Sequence, residues 1–200
     1  MKYYDLIYEK NSNFCGKRPN KLLLKIYKNL PKKVEFLDLG CGQGRDAFFM
    51  ADKKFNVTAI DSSRVAIKQI KEEAKKKKCQ NLKAICQSIK SFAIKPKKFF
   101  AINSANSLQF LNKRDSLNVI HRIKENVLPE GFVMISSFTD KNPPSKRRKS
   151  HFEKNEMKKI FSDFKIIYYF EGSVTDSGHV GQPEPHKHGI VEIIAQKLNN

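Results

Sequence analysis

Three alternate glycines occupy the segment Leu37-Asp38-Leu39-Gly40-Cys41-Gly42-Gln43-Gly44-Arg45-Asp46. Glycine turns sharply and lets a backbone approach a ligand closely. The apolar run 34–39 reads as a buried strand, and residues 45–53 read as a helix. The helix N-terminus behind the glycines favours anionic or polar ligand groups. The next apolar run, 57–60, ends at Asp61. A strand, a glycine turn, a helix and an acid closing the next strand form the context that a nucleotide-like ligand needs. Asp61 has a second, compatible role as a helix N-cap.

The order of the glycines narrows the ligand. Dinucleotide sites use G-x-G-x-x-G, whose third glycine lets helix pack on strand. Here the order is G-x-G-x-G, with Asp38 inside the strand. A carboxylate there repels a pyrophosphate and attracts an ammonium. S-adenosyl-L-methionine carries an ammonium, a sulfonium and no phosphate, and Asp61 would accept hydrogen bonds from its ribose hydroxyls.

The segment Asp38 to Arg45, D-L-G-C-G-Q-G-R, resembles motif I of the class I S-adenosylmethionine-dependent methyltransferases. Within that superfamily it is most similar to the tellurite-resistance-type (TehB-like) small methyltransferases. FNVTAIDSS, SANSLQFL and the Leu-Pro-Glu-Gly turn carry the likeness from about Tyr3 to Lys197. The resemblance implies S-adenosyl-L-methionine as cofactor. It places Asp38, Gly40, Cys41, Gly42, Gly44, Asp61, Ser62, Ser88, Ile89, Asn103 and Ser104 around that cofactor. Three positions depart from the family pattern. Ser88, after Gln87, stands where an Asp usually faces the adenine amino group. Phe100 replaces an Asp near the start of the fourth strand. His179 matches the family's hairpin histidine, but the Arg beside it is Val180.

An acceptor site is expected at the C-terminal ends of the strands, where open α/β sheets bind ligands. That edge gathers Asn103, Ser104, Asn106, Phe138, Thr139 and a loop read as 172–189. The loop holds His179, His186 and His188, three of the five histidines. Three readings are open for them. They bind an acidic or oxyanionic substrate or act as a general base, the preferred reading. They bind a metal, which is disfavoured because no carboxylate or thiolate sits at convincing spacing, although Glu184 is near. Or they are idle residues of an exposed loop. His179, His186 and His188 are thus the candidate catalytic residues, and no metal ligand is assigned. Methyl transfer to a soft nucleophile such as tellurite, selenite or a thiolate needs alignment and a dry site more than a strong base.

The elements that must position these groups alternate. Helical spacing covers 19–30, with Pro19 in the first turn. Strands follow at 34–39, 57–60, 82–85, 99–104 and 132–138. Helices are read at 45–53, from a Ser62 or Ser63 cap to about Lys78, at 115–127 and at 152–161. Strands at 164–170 and 190–195 end the pattern. Such alternation implies an α/β fold, a Rossmann-like seven-stranded, mostly parallel sheet with one antiparallel strand and helices on both faces. The chain 1–200 is read as one domain, with an N-terminal segment 1–30 and a sheet core 34–197. Tyr3, Tyr4 and Phe14 make the first segment either a lid, with Lys17 or Arg18 near the cofactor's carboxylate, or an ordinary docking helix.

Composition excludes several classes. No apolar run approaches the roughly 20 residues that span a membrane. The sequence from Met1 to Asp5 lacks a signal-peptide core. Cys15, Cys41, Cys79 and Cys86 form no CxxC pair, so reduced thiols and a cytoplasmic location are expected. The formal net charge is +19, but lysine supplies 32 of the 39 basic residues, whereas nucleic-acid readers favour arginine. The expected partner is therefore a small-molecule substrate, a metalloid oxyanion or a thiol. A nucleic-acid methyltransferase is the alternative; Asn142-Pro143-Pro144 resembles a base-stacking loop but follows the wrong strand. A non-catalytic cofactor binder is the third reading, and the oligomeric state is left open.

Overall fold

The strands are β1 (Glu35–Leu39), β2 (Asn56–Asp61), β3 (Leu82–Cys86), β4 (Phe99–Ala105), β5 (Val127–Phe138), β6 (Phe164–Asp176) and β7 (His186–Lys197). They form one sheet in the order β3-β2-β1-β4-β5-β7-β6. The computed structural model describes residues 3–14, 16–96, 98–142, 149–176 and 184–199. β1 to β5 run parallel, and β7 is antiparallel to both β5 and β6. The mixed sheet is the one that the alternating pattern predicts.

The helices are α1 (Tyr3–Lys10), α2 (Lys21–Ile26), α3 (Arg45–Asp52), α4 (Arg64–Lys76), α5 (Lys113–Asn126) and α6 (Glu156–Ile160). Alternation along β1 splits the core. Phe36 joins Leu22, Ile26, Met50 and Phe55 on one face of the sheet. Leu37 and Leu39 join Ile60, Ile120, Ile123 and Phe161 on the other. Fully burying one such side chain contributes about 1.5–3 kcal/mol. α4 begins where Ser63 Oγ accepts from Ala66 N at 3.1 Å. It ends with Lys75 and Lys76, whose charges complement the helix dipole.

Four elements differ from their sequence reading. The helix read at 19–30 begins at Lys21, because Asn20 caps it by accepting from Leu22 N at 2.8 Å. After Ile26 it tightens to a 3-10 turn over Tyr27–Asn29. The segment 152–161 is helical only over Glu156–Ile160. Phe152 is instead fully buried, bridging Thr139 and donating its N–H to Phe138 O at 3.0 Å. The Leu-Pro-Glu-Gly turn lies inside β5 as an irregularity, with Glu130 at φ 60° and the β4–β5 register shifting beside it. Finally, the loop read at 172–189 is largely hairpin: β6 continues to Asp176 and β7 starts at His186, with Asp176 opposite His186. Among the described residues, no helix is long and apolar enough to cross a membrane.

Candidate active site

The glycine loop is pinned from below. Gly40 N and Cys41 N both donate to Ile60 O, at 2.8 and 3.0 Å. This ties the end of β1 to the end of β2. Gly40 sits at φ +75°, and a Cβ there would overlap the Ser107 side chain. Ser107 Oγ in turn donates to Leu39 O at 3.0 Å, so the turn after β4 braces the loop from the other side. Gly42, at φ +52°, lies against Tyr8, whose hydroxyl would be 3.0 Å from an added Cβ. Gly44 is the left-handed residue before α3, and its own close neighbours are Ile70 and Phe48.

Two carboxylates flank this loop. Asp61 Oδ2 accepts from Gly42 N at 2.9 Å and Oδ1 from Ser63 N at 2.8 Å. The N-cap of α4 is Ser63 and not Asp61; Asp61 instead orders the glycine turn and the residue that caps α4, and it lines the cleft. Asp38 is 2% exposed. Its Oδ1 accepts from Asn103 Nδ2 at 2.8 Å. Its Oδ2 is buried with no hydrogen-bond partner among the described residues. Burial, then the nearby Asp46 carboxylate, pushes Asp38 up to about 8 against the favourable Asn103 bond. The same burial, with Asp38 and Asp61 nearby, pushes the Cys41 thiol up. A buried acid at this pKa is poised to ionise when a cation arrives beside it.

These groups open onto a cleft of about 1230 Å³. Asp38, Gly40, Cys41, Gly42, Asp61, Ser62, Ser88 and Ile89 all line it. Gly44 does not line it and shapes the turn instead. Asn103 and Ser104 do not line it either, being fully buried. Asn103 holds Asp38, and Ser104 Oγ lies 2.7 Å from Ser107 Oγ. Both support the loop from behind the cleft wall. Ser88 faces the cleft beyond Asp61, and the adjoining turn is fixed by Gln87 N donating to Asp61 O at 2.9 Å.

α1 covers one side of the cleft. Ser63 Oγ donates to the buried Asp5 carboxylate at 2.5 Å, and Gln69 Nε2 donates to Tyr8 O at 2.8 Å. Gln43, in the glycine loop, donates to Asn11 O at 2.6 Å and accepts from Phe14 N at 2.9 Å. Tyr4 packs edge-on to Phe110, 5.1 Å between centroids. The segment is therefore docked on α4 and also walls the site. Lys17 lines the cleft and Arg18 does not. Sequence reasoning missed Asp5, Gln43, Gln69 and Ser107. Only the polar type of Gln43 and its place inside the loop signalled a role.

On the β6–β7 hairpin, His188 lies in β7, 7% exposed, stacked on Phe138 at 4.9 Å. Its Nδ1 lies 3.0 Å from Asn142 Oδ1. Asn142 is thus a buried partner of His188; Pro143 and Pro144 lie outside the described residues. His186 is next to His188, centroids 4.5 Å apart. His179 and Val180 also lie outside the described residues. Among the described cysteines, Cys41, Cys79 and Cys86 are free thiols.

A family model described as tellurite resistance protein TehB matches residues 21–181. The chain is 29% identical over 143 residues to a protein of Haemophilus influenzae named probable S-adenosyl-L-methionine-dependent methyltransferase TehB. That match covers 70% of this chain and 49% of the relative, so the chain spans about half the length of the curated relatives it matches. The crystal structure of TehB from Haemophilus influenzae superimposes with a TM-score of 0.82 at 22% identity, covering 98% of this chain and 67% of that one. The 1,6-didemethyltoxoflavin-N1-methyltransferase of Burkholderia thailandensis, solved with S-adenosylhomocysteine, has a TM-score of 0.67 at 15% identity, covering 90% and 78%. The sheet order, the glycine loop and the matched span agree: the chain belongs to the TehB family.

Proposed function

We propose that this chain is an S-adenosyl-L-methionine-dependent methyltransferase whose acceptor is a small molecule, either a metalloid oxyanion of the tellurite or selenite kind or a thiol. The observation that carries the reading is the buried Asp38 Oδ2, a carboxyl oxygen without a hydrogen-bond partner among the described residues, in a cleft lined also by Asp46, Asp61 and Asp176. A phosphate held directly against these acids would be disfavoured. A ligand with an ammonium and a pair of ribose hydroxyls fits the donor set.

When bound, the cofactor supplies an electrophilic methyl group on sulfur. The chain's own residues then have four tasks. Asp38 takes the ammonium and loses its proton. Asp61 accepts from the ribose hydroxyls while keeping the Gly42 N–H. The glycine loop lets the backbone approach. α1, with Tyr4, Tyr8 and Phe14, excludes water from the methyl group. Phe138 and His188 line the same cleft, and an acceptor entering past them would have to be aligned with the methyl group for in-line transfer. A soft acceptor attacks with its own lone pair, and Phe138 and His188 line the cleft it enters.

Calorimetric titration with S-adenosylhomocysteine tests the cofactor half. Wild type should bind in the micromolar range, and Asp61→Ala should bind at least about 100-fold more weakly, since hydrogen bonds to a charged group contribute about 1.5–3 kcal/mol each. Folded wild type that binds nothing would end the reading. Turnover is then measured with tellurite, selenite and thiols beside RNA. Methylation of RNA alone would move the acceptor to nucleic acid.

A further inference from the structure

A second cluster lies on the β6–β7 hairpin, at the same cleft as Asp38. Antiparallel pairing sets Asp176 opposite His186 and Val174 opposite His188. His186 and His188 are two residues apart and therefore share a sheet face. One donor atom from each of Asp176, His186 and His188 lies within 4.8 Å of the others. The two histidines fall beyond residues 21–181, the span that matches the family model.

The tautomers of both imidazoles are set by their other neighbours. His186 Nδ1 lies 2.8 Å from Glu184 O, a carbonyl that only accepts, so Nδ1 carries the proton. Asn142 Nδ2 donates to Thr139 O at 3.2 Å and to Gly189 O, which fixes its amide orientation and presents Oδ1 to His188 Nδ1. His188 Nδ1 is therefore the protonated nitrogen too. Each ring is thus oriented by a hydrogen bond at Nδ1, which leaves Nε2 as its unprotonated nitrogen. That is the arrangement of metal-ligating histidines, whose second nitrogen is held by a carbonyl, amide or carboxylate.

We infer that Asp176, His186 and His188 form a binding site for one divalent transition metal of the zinc class. Two imidazoles and one carboxylate are a donor set that zinc accepts, with a fourth position open to water or a ligand. Donors on a tetrahedral zinc with bonds of 2.0–2.1 Å stand about 3.4 Å apart, so closure asks for shifts of about 1 Å at the side-chain ends. Asp176 and His188 line the cleft, so the open position faces the space where an acceptor enters. The site would take a thiolate or an oxyanion there, a clause that rests on the proposed function; the metal site itself does not.

The test uses the full chain, stripped by a chelator and titrated with Zn²⁺ by calorimetry at neutral pH. Co²⁺ serves as a spectroscopic probe, and S-adenosylhomocysteine binding is measured on the same samples. The expected result is one Zn²⁺ per chain and a Co²⁺ spectrum of a low-coordinate nitrogen–oxygen site. His186→Ala and Asp176→Asn should each weaken Zn²⁺ on the order of 100-fold. Asn142→Ala, which removes a positioning contact, should weaken it roughly 10–100-fold. His121→Ala and Cys86→Ala, at exposed donors elsewhere, should match wild type. No stoichiometric Zn²⁺ binding by folded wild type overturns the inference. So does Zn²⁺ affinity that survives both His186→Ala and Asp176→Asn. The Co²⁺ spectrum of wild type needs no variant, so a variant that misfolds does not rescue the idea. Zn²⁺ binding without S-adenosylhomocysteine binding would keep the metal site and remove the proposed function.

Discussion

The Asp38 carboxyl makes a quantitative prediction about pH. In the free protein, burial and the Asp46 charge raise it to about 8. The folded chain thus holds a proton that an unfolded chain releases near pH 4. Stability from this group is fully present below pH 4 and is lost as pH rises through about 8. An ammonium placed beside Oδ2 reverses the preference and requires the ionised form. Below the pKa, binding must expel one proton, so affinity rises tenfold per pH unit. With the pKa at about 8, the ionised fraction is about 1% at pH 6 and one half at pH 8, and affinity for S-adenosylhomocysteine should rise about 50-fold between them. Calorimetry at each pH, in two buffers of different ionisation enthalpy, counts the released proton directly. Asp38→Asn should bind weakly at every pH and show no such slope. A flat wild-type profile between pH 6 and 8, or the same slope in Asp38→Asn, would refute the argument.

Two further substitutions examine the scaffold. Gly40→Ala forces a methyl into the Ser107 side chain at a positive φ, so it should destabilise the fold by about 1–3 kcal/mol and lower Tm, read by thermal melting. A Tm equal to wild type would mean that the loop relaxes freely. Ser63→Ala removes both the α4 N-cap and the donor to the buried Asp5, for a loss of about 1–2 kcal/mol. Because Asp5 anchors α1, this variant should also expose the segment before α2 to limited proteolysis. Unchanged cleavage would place the anchor of α1 elsewhere.

Much of the cofactor half was legible in the sequence because it is local. The strand, the three glycines and Asp61 are contiguous or one βα unit apart, and their spacing alone constrains backbone conformation and ligand charge. The alternation of apolar runs likewise implied the mixed sheet, since each buried strand must be covered by the helices that flank it in sequence. Asn103 and Ser104 show where that logic stops. Their position after a strand suggested cofactor contact, but the β1–β4 register turns Asn103 onto Asp38, and Ser104 is spent on Ser107.

The hairpin side of the cleft belongs to tertiary structure. His186-x-His188 is visible in the sequence, but Asp176 gains its meaning only from the register of an antiparallel hairpin, which a reading of residues 172–189 as a loop conceals. Asn142 looked like part of a loop motif, yet it is a buried hydrogen-bond partner that sets a histidine tautomer from 46 residues away. Asp38 was predicted as an acid beside the glycines, whereas its raised pKa depends on the desolvation and neighbouring charge that the folded sheet assembles. Local spacing determines what each residue can offer; long-range pairing and burial decide which of those offers meet.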